Sequence, residues 1–470
     1  MSSSPTPVDV VPILERQRPG RFWFTLFSVS LLITFLDGFD FQVLSFAGTP
    51  VKKAFGLTDT QLGTLGTIGL LGTLVGGLCM GYLADRIGRR PAIIASTAGF
   101  GVFMLAFALA DTYAHLVALR FVSGFFLGGV LPLTWALTTE FAPARHRSMS
   151  VATIMVGYTL GGAAGGPVCN LLIPEYGWRS VFLAGGVASL LALIPVVLLL
   201  PESVRFLAQR RTDDADRRVA RLLGKVQPGL AFPPGTRFTV GELDVHRGRF
   251  TPAALFRGPL AQITPLLWAI YICSSALIYF VAFWTPTINE RVGFSPSAAA
   301  TIAALASVLG GVAQLVIGRF IDRRGAVATV WMPLLAIPAL LLIGLGSLAP
   351  AGYVAALMAS KMFINGGHGG INSVTGIFYP TAIRANGAGW ASSVAKLGAM
   401  LGPWLAGVLL DAGYRPLDLF ALFAVCPALM VALLLALGRA QRALPPGAEG
   451  SLRPRHPRIQ PVPKDDAARA

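Results

Sequence analysis

Twelve apolar runs, each about 20 residues long, constrain this chain more than any other feature. A run of that length crosses a hydrocarbon core near 30 Å at 1.5 Å per residue. The runs cover roughly 22–46, 60–83, 92–110, 116–138, 149–172, 179–200, 259–284, 297–318, 326–347, 352–377, 388–410 and 416–438. A first run of this kind can be a secretory signal. Here it is too long for one and has no small-residue cleavage site, so it is expected to remain as a span. Charge is correspondingly scarce, at 13% of residues against about 25% in a soluble domain.

The few charges are unevenly placed. The formal net charge is +16, which in a soluble protein would suggest nucleic acid. The basic residues sit between spans rather than on one face, so no nucleic-acid partner is expected, and the lipid bilayer is. With the N-terminus cytoplasmic, the tails and even-numbered loops hold about 30 of the 38 Lys and Arg, and the opposite loops about five. The bias predicts both termini in the cytoplasm and insertion in a plasma membrane, here a bacterial inner membrane. The chain divides into an N-terminal tail (1–21), a first half (22–200), a central loop (201–258), a second half (259–438) and a C-terminal tail (439–470) of disorder-like composition. The central loop reads as a short amphipathic helix plus flexible linker. Cys79, Cys169, Cys273 and Cys426 all fall inside apolar runs without ligand spacing, so neither a disulfide framework nor a metal site is implied.

An internal repeat orders the twelve spans. Gly81-Tyr-Leu-Ala-Asp85-Arg86-Ile-Gly88 after span two recurs as Gly318-Arg-Phe-Ile-Asp322-Arg323-Arg-Gly325 after span eight. Pro143 and Arg147 after span four match Pro380 and Arg384 after span ten at the same offset. Two motifs sharing one offset predict two six-helix pseudo-symmetric halves related by an axis along the membrane normal.

The segment from Gly81 to Pro91 resembles the loop signature of the major facilitator superfamily, with its degenerate second copy at Gly318. Arg120 through Pro132 is similar to that family's span-four motif, and Pro201-Glu-Ser-Val-Arg205 to the sequence leaving span six in its sugar and organic-acid members. Asp37-Gly-Phe-Asp40 in span one resembles the signature of the aromatic acid:proton symporters, as does Phe378 through Gly387 at the start of span eleven. The resemblance covers residues 22 to 438 and implies an all-α transporter of the major facilitator fold that works by alternating access. In the aromatic-acid group a basic residue of span eleven is expected to meet the substrate carboxylate. Lys396 holds that position.

The residues themselves narrow the chemistry. A charge in mid-membrane costs at least about 2.5–3.5 kcal/mol on insertion scales, so Asp37 and Asp40 in one span need compensation. Three-residue spacing sets them on one helical face, about 5–6 Å apart at Cβ. Two carboxylates that close and partly dehydrated suit a reversible proton site. Arg120 falls at a similar depth on span four and is the natural partner, by way of substrate binding or as a salt bridge. Lys361 and Lys396 lie nearer mid-membrane, and His368 sits among four glycines on span ten; all three are candidate substrate residues. Tyr279 and Trp284, with Tyr271 and Phe283, can form an aromatic wall for a ring. The Gly-rich Gly157 to Pro167 of span five reads as close helix packing.

The repeated loops call for a different role. Asp85, Arg86, Arg89, Asp322 and Arg323, with Glu140 at the end of span four, are expected to form a conformational gate through charge-assisted bonds to helix ends across the halves. No cluster of nucleophile, metal ligands or phosphate cradle supports an enzyme, and no cofactor is expected. The leading expectation is a monomeric proton-coupled importer of a small aromatic carboxylate. A symporter for another organic anion or sugar acid, or an efflux pump for hydrophobic compounds, fits the same fold.

Overall fold

Inside a bilayer no water is available to backbone groups, so an apolar run must close its hydrogen bonds within itself. The computed structural model, which describes residues 7–17, 19–241, 251–324, 328–379 and 383–442, shows this outcome. The principal helices are α1 (Arg21–Phe46), α2 (Asp59–Ile87), α3 (Arg89–Ala108), α4 (Tyr113–Glu140), α5 (Arg147–Tyr176) and α6 (Arg179–Leu199) in the first half. The second half holds α7 (Leu260–Arg291), α8 (Pro296–Arg324), α9 (Ala328–Leu345), α10 (Pro350–Phe378), α11 (Arg384–Asp411) and α12 (Val425–Arg442). Among the described residues, 10 helices are long and apolar enough to cross a membrane, counting α12 with the short helix before it. The other two are α9, which is apolar but shorter, and α10, which is long but interrupted by polar residues and glycine.

Packing repeats between the halves. In the first, α2 packs on α4, α1 on α5, and α3 on α4 and α6; in the second, α8 packs on α10, α7 on α11, and α9 on α10. The halves meet through α2 against α11 and α5 against α8, a pair of contacts that the same two-fold relation exchanges. The face where α1 begins and α12 ends is called here the terminal face; the opposite one is the far face.

Two segments that read as tail and linker are instead packed together. Val8–Asp9 pairs in parallel with Phe238–Thr239, and the helix Val10–Arg16 follows. The central segment holds two helices, Val204–Arg210 and Asp213–Val226, rather than one. Val10 and Leu14 bury against Val219, Leu223 and Val226, and the cluster continues into the ends of α1 and α4. Apolar residues at helical spacing were present inside charge-rich sequence, and three acids in the first turn of Asp213–Val226 complement its dipole. Gln17 ties this cap to α4 by donating to the Phe141 carbonyl at 2.6 Å. Residues 242–250 and 443–470, within the expected loop and C-terminal tail, lie outside the described residues.

Candidate functional site

Asp37 and Asp40 come from adjacent turns of α1, and both are buried. Arg120 of α4 reaches Asp40 alone. Its Nη1 donates to Oδ2 at 3.0 Å and its Nη2 to the Asp40 carbonyl at 3.3 Å. The guanidinium passes over α2 at Gly69, where an added Cβ would lie 2.9 Å from Nε. Asp37 Oδ2, Asp40 Oδ1 and Arg120 Nε are buried without hydrogen-bond partners among the described residues. Each such group costs roughly 1–3 kcal/mol, so the cluster is not a saturated structural bridge. It has capacity left for a proton or a ligand.

Around the acids stand aromatic rings from three helices. Phe41 of α1 meets Tyr279 of α7 edge-on at 5.3 Å, and Tyr158 of α5 at 6.1 Å. Both phenols lie within electrostatic reach of Asp37. Tyr279 was expected here from its span. Tyr158 was not, because the glycines around it pointed only to packing. Lys396 of α11 also acts on Asp37 through its charge, while its Nζ donates to Thr73 Oγ1 of α2 at 3.3 Å.

The second half is organised differently. Lys361 is buried on α10, and among the described residues no carboxylate pairs with it. About two turns along, His368 shares a 2.9 Å hydrogen bond through Nδ1 with Ser274 Oγ of α7. The Tyr271 hydroxyl of α7 donates to Asn372 Oδ1 at 2.9 Å and bonds Thr375 at 2.7 Å. Trp284 is set elsewhere. It is fully buried and its indole donates to the Pro403 carbonyl of α11 at 2.9 Å, which places it in helix packing away from the acids.

On the terminal face the loop signature is built around two carboxylates. Glu140 accepts from Arg89, from Ser203 Oγ at 2.8 Å and from the Arg205 amide at 2.8 Å. Glu202 accepts from the amides of Arg89 at 2.9 Å and Arg90 at 3.2 Å, capping the start of α3. Gly88 makes the turn with φ +109, and an added Cβ would lie 2.2 Å from Glu202 Oε2. These bonds join the first half to the start of the central loop, and none of them reaches the second half, where the expected cross-half partners Asp322 and Arg323 would stand. Arg86 offers its carbonyl to Arg210 at 2.8 Å. Asp85 is exposed and has no ion-pair partner among the described residues, because it sits on the outward side of the last turn of α2. The side chains of Asp322 and Arg323 lie outside the described residues.

On the far face an unforeseen cluster does cross the halves. Asp59, first residue of α2, pairs with Arg291, last residue of α7, and with Lys52 at 2.6 Å. Asp411, last residue of α11, accepts from the amides of Asp59 at 2.9 Å and Thr60 at 2.8 Å. Deeper in, Gln42 and Ser45 of α1 donate to the Ala282 carbonyl at 2.7 and 3.0 Å. Thr67 donates to Met400 at 2.8 Å, and Asn170 to Ser297 at 3.2 Å.

The sequence profile of the Major Facilitator Superfamily matches residues 30–379. The chain belongs to that superfamily, and its members are transporters, not enzymes. The transporter is 32% identical to a gallate transporter of Pseudomonas putida over 93% of this chain and 97% of that one. It is 32% identical to a 4-hydroxybenzoate transporter of the same species, covering 87% of this chain and 91% of that one. Its fold superposes on the xylose transporter of E. coli in a partially occluded inward-open conformation, with a TM-score of 0.70 at 16% identity, covering 88% of this chain and 99% of that one.

Proposed function

We propose that this transporter imports a small aromatic carboxylate of the hydroxybenzoate type together with protons, by alternating access. The observation that carries the reading is the division of charge at mid-depth. Arg120 bonds Asp40 and not Asp37, and both acids keep an unpartnered buried oxygen beside Phe41, Tyr158 and Tyr279. Lys396 of the second half acts on Asp37 through its charge, and among the described residues neither it nor Lys361 forms an ion pair with a carboxylate. The relatives named for gallate and 4-hydroxybenzoate support the substrate class.

In this reading the acids of α1 hold the coupled proton, and Lys396 and Lys361 attract the substrate carboxylate. A lysine supplies that charge as a point cation without bidentate geometry. The ring stacks or meets edge-on with the aromatic group, worth about 0.5–1.5 kcal/mol per favourable pair. Loading proton and anion together removes charge from the centre of the membrane, which lowers the cost of moving the halves past one another. Coupling follows because the anion binds the protonated and deprotonated forms with different affinity. The crossing bonds on the far face hold that side closed, and the described conformation therefore opens toward the terminal face. The basic bias of the loops makes that face cytoplasmic in a bacterial inner membrane, with the protein acting as a monomer.

A thermal-shift series on purified protein tests the substrate class. Benzoate and hydroxybenzoates should raise the melting temperature in a saturable way, while hexoses and sugar acids at the same concentration should not. Stabilisation by sugar acids alone would replace the reading with its nearest alternative.

A further inference from the structure

Four polar residues of α10 share one face. Lys361, Asn365, His368 and Asn372 follow the i, i+4, i+7, i+11 pattern of one helical face. The contacts of their neighbours show where that face looks. Gly366 and Gly367 back onto Met332 and Pro333 of α9, and Gly369 onto Gln314 of α8, while His368 bonds Ser274 of α7. The stripe is thus turned away from α9 and into the gap between α7 and α8. Those two helices in turn touch α1 and α5 of the first half.

Its depth follows from a chain of contacts. Asn365 touches α8 at Gly310, the adjacent Gly311 touches Thr159 of α5, and the adjacent Tyr158 backs onto Gly38 of α1. Asn365 is therefore level with Asp37. Lys361 lies about 6 Å toward the far face and His368 about 4.5 Å toward the terminal face, at 1.5 Å per residue. The two ends of the stripe differ chemically. Lys361 is a buried ammonium with no acid beside it among the described residues. His368 is held through Nδ1, and among the described residues Nε2 has no hydrogen-bond partner, so one donor or acceptor remains for a neutral polar group.

We propose that this stripe measures the substrate: Lys361 takes the carboxylate of an aromatic acid, and His368 Nε2, steadied by Ser274, takes a hydroxyl on the ring. The inference rests on the transport reading above and adds to it a preference for hydroxylated over unsubstituted rings. The ends are about 10 Å apart along the helix. A para-hydroxylated benzoate with a hydrogen bond at each end spans roughly 12 Å, which the flexible lysine accommodates. Site groups built to bond a hydroxyl are left unpaired by an analogue lacking it, so discrimination is large where the ring is enclosed.

The test is the affinity of purified full-length protein for 4-hydroxybenzoate and for benzoate, taken as a ratio. His368→Leu should lower the ratio at least tenfold, Ser274→Ala by about two- to threefold, and His368→Gln, which keeps a polar tip, by less than His368→Leu. Lys361→Gln should weaken both acids by similar factors and leave the ratio within about twofold. Benzoate binding in each sample reports that the variant is folded, and the milder Ser274→Ala and His368→Gln carry the test where His368→Leu is not monodisperse. An unchanged ratio in all three hydroxyl-end variants, with wild type binding both acids, overturns this inference alone. Wild type that binds neither acid overturns the transport reading as well.

Discussion

The two faces of the molecule use similar charged residues to opposite ends. On the far face Asp59 gathers Arg291 and Lys52, and Asp411 caps the same helix start from the other half. On the terminal face Glu140 and Glu202 bind Arg89, Ser203 and nearby amides, all within the first half and the start of the central segment. The far cluster joins the halves; the terminal cluster stiffens one of them. A loop signature alone therefore does not tell which side of a transporter is shut. The partners of its carboxylates do.

The largest effect that would break this comparison is at Asp85. It is exposed and unpaired among the described residues, and the proposed gate role gives it work in a conformation in which the terminal face closes. Asp85→Asn should cut uptake at least about tenfold while ligand-induced stabilisation of the purified protein persists, since a gate contact worth roughly 1.5–3 kcal/mol is lost. Loss of ligand binding in a folded variant would make Asp85 part of the site. Next in size is Arg291→Gln, which leaves the buried Asp59 with Lys52 only. In a background lacking the four cysteines, a cysteine placed at Gln42 should react with a membrane-impermeant thiol reagent from the far side about three- to tenfold faster. No change in rate would mean that the far face is closed by helix packing instead. Asp411→Asn should give a smaller increase, about twofold, because its single amide oxygen still accepts from one of the two amides that now bond separate oxygens of Asp411.

Much of this was legible before any coordinates. The span expected at 60–83 is the helix Asp59–Ile87, and the repeated motifs announced the two halves that the helix pairing displays. Asp37, Asp40 and Arg120 were brought together by depth and spacing alone. What could not be read was partner choice. Spacing gave Arg120 two equivalent acids, and the fold hands it one. Tyr158 stayed hidden because glycine-rich sequence signals helix approach and says nothing of what a tyrosine among the glycines faces. Asp59, Arg291 and Asp411 are ordinary loop charges until the halves close over them. The packing of the N-terminal tail was hidden for a related reason: Val10 and Leu14 are too few to declare a core until Val219 and Leu223 arrive from the central segment.

The central claim is that the acids of α1 couple protons to an aromatic carboxylate, and proteoliposomes test it most directly. Uptake of labelled 4-hydroxybenzoate is measured with and without an inward pH gradient for wild type, Asp37→Asn and Asp40→Asn. The account predicts gradient-driven accumulation by wild type and a fall of at least about tenfold in the variant that has lost the coupled proton, with exchange of labelled for unlabelled substrate surviving there. Loss of both accumulation and exchange in Asp40→Asn would fit its bond to Arg120 and leave Asp37 as the coupling acid. If both variants still concentrate substrate in response to the gradient, the acids of α1 do not carry the proton and the account is contradicted.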